Sequence, residues 1–571
     1  MRTISTFVSG LFLSALLFLP ASVCAAEFQP FFTLKVSSVN TLIGIAEKVG
    51  TMAGFADSDE FKEAINNIKS VKGFDLNGII GIAAASNDGE ITPLLLLPIT
   101  DLAKAEIPSN PEVFDMIRPF LVKRGDNYEI NSPVGTFIAA QKKDYMVITS
   151  EDMADKIPAD PKKLFADLEK YTIGSKLDLE KVEFETIETQ LFAPLMFMAA
   201  MGNPEVGEQI EAAIEVYREL FKEFAVITSG MAFNARTVDV EFAATITPRK
   251  GSDFGKQLAG YKQQPTMFNG FRGTPGNTVF SFGDSAVMPA LPSQSALLES
   301  SLEQWKMMTE GLLEQIEADD DSGETAELVH KIADSVNKIA EAEVRRGASD
   351  SAGSFNTDGT LLLAFDTVSL AEIQKLVSVI VDFAGKKVAP IASALNIDVK
   401  ASVKQDYVTV EGFKVSSFRV PVEKAASLIP NAEAVKDLAP GAFWAVKDAG
   451  GKQAIAFAAG IDFAKTEQVF KSALEKTKTP AAVQKPTGMF SVQGLGKFFQ
   501  QTVSPIAEKA GADFPAEAKK VFDILASSGN DAALTFNADI KGSNMDIALR
   551  ISGKAIQAVV SAAKEVSEAG F

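Results

Sequence analysis

The chain holds one cysteine and one histidine in 571 residues, and its 41 phenylalanines stand against 6 tyrosines and 2 tryptophans. Each scarcity removes a class of chemistry. Cys24 falls within a cleavable leader, so the remaining chain can form no disulfide even in an oxidising compartment, and its stability must come from buried apolar area. Tetrahedral zinc needs several Cys, His or acidic ligands, and a nucleophile triad needs a base, so both would rest on His330 alone. Glu327 and His330 make one Glu-x-x-His pair, where a carboxylate-bridged di-iron site needs two. His330 therefore reads as an ordinary residue of a helix surface.

Positive charge is also short. Lys and Arg number 55 against 74 Asp and Glu, a net charge of −19, which repels phosphate backbones and argues against a nucleic-acid partner. Sugar-binding surfaces favour aromatic rings with a polar edge, whereas phenylalanine contributes buried area, so the Phe excess reads as core or as the lining of an apolar pocket.

What the chain does carry begins with an address. Arg2 is followed by the apolar run "FVSGLFLSALLFLP", too short to span a bilayer comfortably, and then by small residues in "ASVCAAEF". The pattern predicts a signal peptide over residues 1–26, export to a periplasm or the exterior, and no transmembrane span in the mature chain. Lipid anchoring through Cys24 is the alternative, with Val23 an unfavourable residue before a lipidated cysteine.

Three stretches then say nearly the same thing: "MAFNARTVDVEFAATI" from Met231, "GSFNTDGTLLLAF" from Gly353 and "LTFNADIKGSNMDIALRI" from Leu534. Met545, Ile547, Leu549 and Ile551 alternate with polar residues at the period of a half-buried strand, and Gly542 and Ser543 supply a turn, so each stretch predicts a β-hairpin. The shared Phe-Asn reads as a phenylalanine packed in the core beside a turn-tolerant asparagine. A second word precedes these hairpins, a short strand running into a helix: "FFTLKVSSVNTLIGIAEKVG", "KLDLEKVEFETIETQLF", "VFSFGDSAVMPAL" and "MFSVQGLGKFFQQTVSPIAEKAG".

Strands joined by hairpins and interleaved with helices imply an α+β class, with antiparallel sheets built from β-hairpins and packed helices. The four openings divide the chain into a long and a short module, repeated. This predicts an N-terminal half over 27–265, with modules of about 27–170 and 171–265, and a C-terminal half over 266–571, with modules of about 277–485 and 486–571. The expectation is therefore two tandem related halves, a pseudo-duplication, joined at "KQQPTMFNGFRGTPGN".

Catalytic vocabulary is thin. Ser335 and Lys338 form Ser-x-x-Lys, but the companion motifs of penicillin-recognising enzymes are missing, and "GLGKFF" lacks the spacing and the hydroxyl of a phosphate loop. The acidic "EADDDSGETAE" fails the EF-hand ligand spacing. One stretch stands out, "LFAPLMFMAAMG", in which Phe192, Leu195, Met196, Phe197 and Met201 offer adaptable apolar surface for a ligand, and Pro194 should kink or restart the helix. The sequence thus predicts an exported, non-enzymatic binding or structural protein that takes an envelope or apolar partner and uses neither metal nor cofactor. The alternatives are a carboxylate-dependent hydrolase of envelope polymers, which would need two close acids, and a self-assembling surface protein.

Overall fold

The computed structural model describes residues 28–571 except 88, 101–120, 126, 133–134, 194–213, 216, 275, 288–301, 304–305, 308–323, 347–348, 381–402, 420–438, 450–451, 482–486, 510–513 and 569–571. The chain divides into two compact units, Met1–Ser252 with Asn544–Ala548, and Asp253–Ser543 with Leu549–Phe571. Helices combine with large antiparallel sheets, so the class is mixed α+β.

In the first unit the strands are β1 (Pro30–Val36), β2 (Ile80–Asn87), β3 (Glu90–Leu97), β4 (Leu121–Arg124), β5 (Asn127–Ser132), β6 (Gly135–Lys142), β7 (Tyr145–Ser150), β8 (Ile173–Asp178), β9 (Phe224–Phe233) and β10 (Val240–Pro248). They pair antiparallel in the order β4-β5-β6-β7-β3-β2-β1-β8-β9-β10. After β1, Ser38 caps the helix Val39–Ala53 by accepting from the Thr41 amide, and Gly54 closes that helix in the left-handed region at φ 76°. Ser58 caps the next helix, Asp59–Lys69, in the same way.

Strand alternation sends Ala83, Ala85, Leu94, Leu96 and Val147 to one face, where Phe165 of the 3-10 helix Pro161–Leu168 packs on them. Lys35 points into that face and is only 5% exposed. Its ammonium donates to the carbonyls of Leu168 (3.0 Å), Glu169 (3.3 Å) and Tyr171 (2.9 Å) where the 3-10 helix ends, adding to the Tyr171 amide on Leu168 and the Ser37 hydroxyl on Tyr171. Burial lowers the Lys35 pKa, while the charge of Glu169 acts the other way.

Tyr171 turns onto the sheet just beyond. Gly174 and Gly230 are directly opposed on β8 and β9, and the Tyr171 ring lies over both, so a methyl at Gly230 would sit 2.4 Å from the ring. The glycine pair makes room for an aromatic ring that a pair of side chains would exclude.

In the second unit the strands are β11 (Lys262–Gln263), β12 (Thr278–Val287), β13 (Ser349–Asn356), β14 (Leu361–Thr367), β15 (Val403–Val410), β16 (Phe413–Arg419), β17 (Gly441–Ala449), β18 (Lys452–Gly460), β19 (Thr487–Ser491) and β20 (Ala533–Lys541), while β21 (Asn544–Ile551) is divided, with Asn544–Ala548 assigned to the first unit. The order is β15-β16-β17-β18-β14-β13-β12-β19-β20, all antiparallel, with β11 paired to the end of β12.

One face of this sheet carries the largest core. Phe413, Val415, Phe443 and a row of small residues, Ala352, Ala364, Ala454, Ala456 and Ala458, leave space that Phe268, Phe271 and Phe470 fill. Phe470 comes from the helix Phe463–Glu475, capped by Asp462, and its ring sits 6.0 Å from Phe443 and 6.1 Å from Phe271. Part of the phenylalanine excess is thus spent on ring-to-ring packing against alanine-lined strands. Over the opposite face, residues 370–380 and the helix Glu324–Arg346 cover Phe365, Ile455 and Phe457.

Of the three predicted hairpins, β9–β10 and β13–β14 pair antiparallel as expected, with Gly359 at φ 78° in the second turn. Two details differ. Phe536 of the third Phe-Asn copy is 41% exposed, and Leu549, expected on a buried face, is 38% exposed. Alternation fixes which face a residue takes but not whether another layer covers that face. The outermost strands are irregular: β4 exposes Lys123 and Arg124, and the register of β15 slips between Lys404 and Val408, with Asp406 at φ 45°.

Candidate functional site

The segment after β19 builds a cavity within the second unit. The Ser491 hydroxyl accepts from the Gly494 amide at 2.9 Å and starts the helix Val492–Phe498. Gly494 and Gly496 are helix-packing residues. A methyl on Gly494 would lie 2.0 Å from the Thr278 carbonyl oxygen, and one on Gly496 would lie 2.3 Å from the Ala526 nitrogen, so "GLGKFF" is a close-packing corner.

The helix then widens. Phe499–Val503 is a π turn in which the Ser504 amide reaches back five residues to the Phe499 carbonyl, and α-helix resumes over Ser504–Lys509. Pro505 supplies the cause: it has no N–H for the carbonyl four residues earlier, at Gln501, and its ring clashes with a normal α turn. Thr502 pins the wide turn by donating its hydroxyl to the Thr357 carbonyl at 2.7 Å, in the turn between β13 and β14. Aromatic rings pack around it. Phe355 meets Phe498 edge-on at 5.0 Å, and Phe499 stacks on Phe522 at 4.1 Å.

Between these elements lies a cavity of about 400 Å3 lined by Phe355, Gly359, Ile461, Phe498, Thr502, Val503, Ile506 and Ala507. Its size falls within the range of small-molecule sites, roughly 300–1,000 Å3. The lining carries no charge, and its one hydroxyl is already engaged with Thr357. Such walls can bind hydrocarbon by excluding water. They offer no acid, base or nucleophile for a reaction.

Of the residues singled out in sequence, Phe192 lies within the described region, whereas Leu195, Met196, Phe197 and Met201 lie outside it. Phe192 ends a π turn of its own, Glu188–Phe192, where the Ala193 amide reaches back to the Glu188 carbonyl and Pro194 follows in sequence. Phe192 stacks on Tyr217 at 5.6 Å and joins the cluster of Phe31, Val182, Ile187 and Phe221. The cavity residues of the second unit were missed. The available cue was the parallel between "TQLFAP" and "QQTVSP", each following a strand-to-helix opening and ending on proline.

Titratable groups gather elsewhere. Asp284 on β12 has its pKa pushed up to about 6, first by burial and further by the charge of Asp350, and its buried Oδ1 has no hydrogen-bond partner. Asp350 on β13 accepts from the Thr266 hydroxyl at 2.6 Å and the Met267 amide at 2.8 Å, fastening the segment that carries Phe268 and Phe271 into the core. This near pair of acids therefore has a scaffolding role on the Asp350 side. Ser335 is buried while Lys338 is exposed, so the Ser-x-x-Lys residues do not face one another, and His330 is exposed on its helix. Residues 317–323 of the acidic stretch lie outside the described region. Among the described residues no group of three or more His, Cys, Asp or Glu could hold a metal ion.

Compared with known proteins, the chain matches no family model, no curated protein and no solved structure.

Proposed function

We propose that this is an exported, non-enzymatic protein of two related halves that holds an apolar ligand in the cavity beside the 499–503 π turn. The observation that carries the reading is the uncharged, phenylalanine-rich lining of that cavity. Export rests on the leader-like first 26 residues.

Relatedness of the halves is supported by strand order. Numbered within each unit, with β12 counted as the first strand of the second, both orders read 4-5-6-7-3-2-1-8-9. The same place in each order, after the eighth strand, carries the helix that widens into a π turn before Pro194 and Pro505. Chance pairing of hairpins would not reproduce a nine-strand order together with a rare helical form at one position. On this reading the four opening strands are equivalent, and β1 pairs with β8 as β12 pairs with β19.

The test is direct. Native mass spectrometry of freshly purified mature chain should detect a co-purifying apolar adduct, and a fluorescent hydrocarbon probe should bind with one high-affinity site. Ala507→Trp, which fills the cavity, should abolish probe binding with the fold retained by circular dichroism. A clean apo mass together with probe binding unaffected by the substitution refutes the proposal.

A further inference from the structure

A second pocket lies in the first unit and has the opposite character. It is an open depression of about 300 Å3 lined by Phe28, Gln29, Pro30, Phe31, Thr33, Pro158, Lys163, Leu164, Asp167, Lys176 and Lys181. The floor is apolar, with Phe28 and Phe31 buried, and Leu164 and two prolines complete it. Three ammonium groups line it against one carboxylate. Lys176 pairs with Asp167, and Lys181 reaches Asp178 at 3.5 Å, whereas Lys163 is exposed and makes no ion pair among the described residues.

A local excess of positive charge is unexpected in a chain of net charge −19. Distant carboxylates are screened beyond about 8 Å at physiological ionic strength, so a bound group feels the lysines at contact and little of the remaining acidity. Ammonium groups over an aromatic and aliphatic floor match a ligand with an anionic head and a compact apolar body. We propose that this pocket, separate from the uncharged cavity of the second unit, binds a small amphiphilic anion, with a carboxylate or phosphate head at Lys163, Lys176 and Lys181 and its apolar body against Phe28, Phe31 and Leu164. The two sites would then divide ligands by charge.

Isothermal titration of the mature chain with octanoate and octyl phosphate tests this, with octanol and inorganic phosphate as controls. At least one of the two amphiphiles should bind with unit stoichiometry and about tenfold more tightly than either control, more weakly as salt is raised. Comparing octanoate with octyl phosphate assigns the head. Lys163→Glu should lose about tenfold in affinity and Lys163→Ala somewhat less, both at an unchanged melting temperature, because Lys163 is exposed and makes no ion pair among the described residues. Leu164→Trp should block the pocket without altering charge. Ala507→Trp should leave this binding intact, which keeps the result independent of the apolar cavity. Failure of both amphiphiles to bind, equal binding of octanol or inorganic phosphate, or indifference to the lysine substitutions overturns the proposal.

Discussion

Replacing Lys35 by methionine tests how the first unit closes over its 3-10 helix. The substitution keeps most of the aliphatic stem and removes an ammonium that serves the carbonyls of Leu168, Glu169 and Tyr171. The bond to Glu169 is the longest and only part-buried, so water can replace it; the bonds to Leu168 and Tyr171 are buried. Hydrogen bonds from a charged donor are worth about 1.5–3 kcal/mol each, so two lost bonds cost roughly 3–6 kcal/mol. Against this stands the desolvation of the ammonium, evident in its lowered pKa, which methionine escapes. The expected net loss is about 3 kcal/mol, read as a lower urea midpoint by circular dichroism and as faster hydrogen exchange at Thr33–Val36. Because the folded-state pKa lies below the ordinary 10.5, the unfolded chain binds more protons between the two values, so the Lys35 contribution rises with pH across that window. That slope should vanish in Lys35→Met. A variant as stable as the parent at pH 7 would refute the reasoning, since it would mean that the Tyr171 amide and the Ser37 hydroxyl suffice for these carbonyls.

Three further outcomes are expected. Asp284 holds its proton up to about pH 6, above the ordinary 3.8, so the folded state binds more protons in that window and stability falls as pH rises from 4 to 7. Asp284→Asn should flatten this profile, by roughly 2 kcal/mol across the range once solvent screening is included, as measured by urea titration at each pH. Gly230→Ala should cost about 2–3 kcal/mol in chemical denaturation, because its methyl meets the Tyr171 ring, and Tyr171→Ala in the same chain should recover part of that loss. Pro505→Ala restores an N–H for the Gln501 carbonyl and allows an ordinary α turn, which would rotate Ile506 and Ala507 by about 100°. Hydrocarbon-probe affinity should then fall at least tenfold with no loss of thermal stability.

Local order was legible because it depends on neighbours in sequence. Alternation marked β9 with β10 and β13 with β14, and the strand-to-helix opening from Phe31 became β1 and the helix Val39–Ala53, capped by Ser38. The pairing of β3 with β7 and of β14 with β18 was not legible, since each joins strands separated by long insertions and is decided by which faces bury together. Exposure failed at Phe536 and Leu549 for the same reason. At the candidate site, proline was noticed only at Pro194, where it was expected to kink a helix. Its counterpart Pro505 instead follows a widened turn that helps form a cavity, and the partners Phe355 and Ile461 come from distant strands and loops. Single positions carry no such tertiary information.

The irregular outer strands β4 and β15 bear on whether this chain can associate edge to edge. A flat, regular border would present unpaired amides and carbonyls as a template for another copy, and a chain with one cysteine has no internal disulfide to restrain partial opening. At β4 the cations Lys123 and Arg124 oppose docking, and at β15 the slipped register around Asp406 breaks the comb of donors and acceptors. Deleting the extra residues between Lys404 and Val408 would straighten that second border and should favour strand-to-strand stacking of copies into fibres.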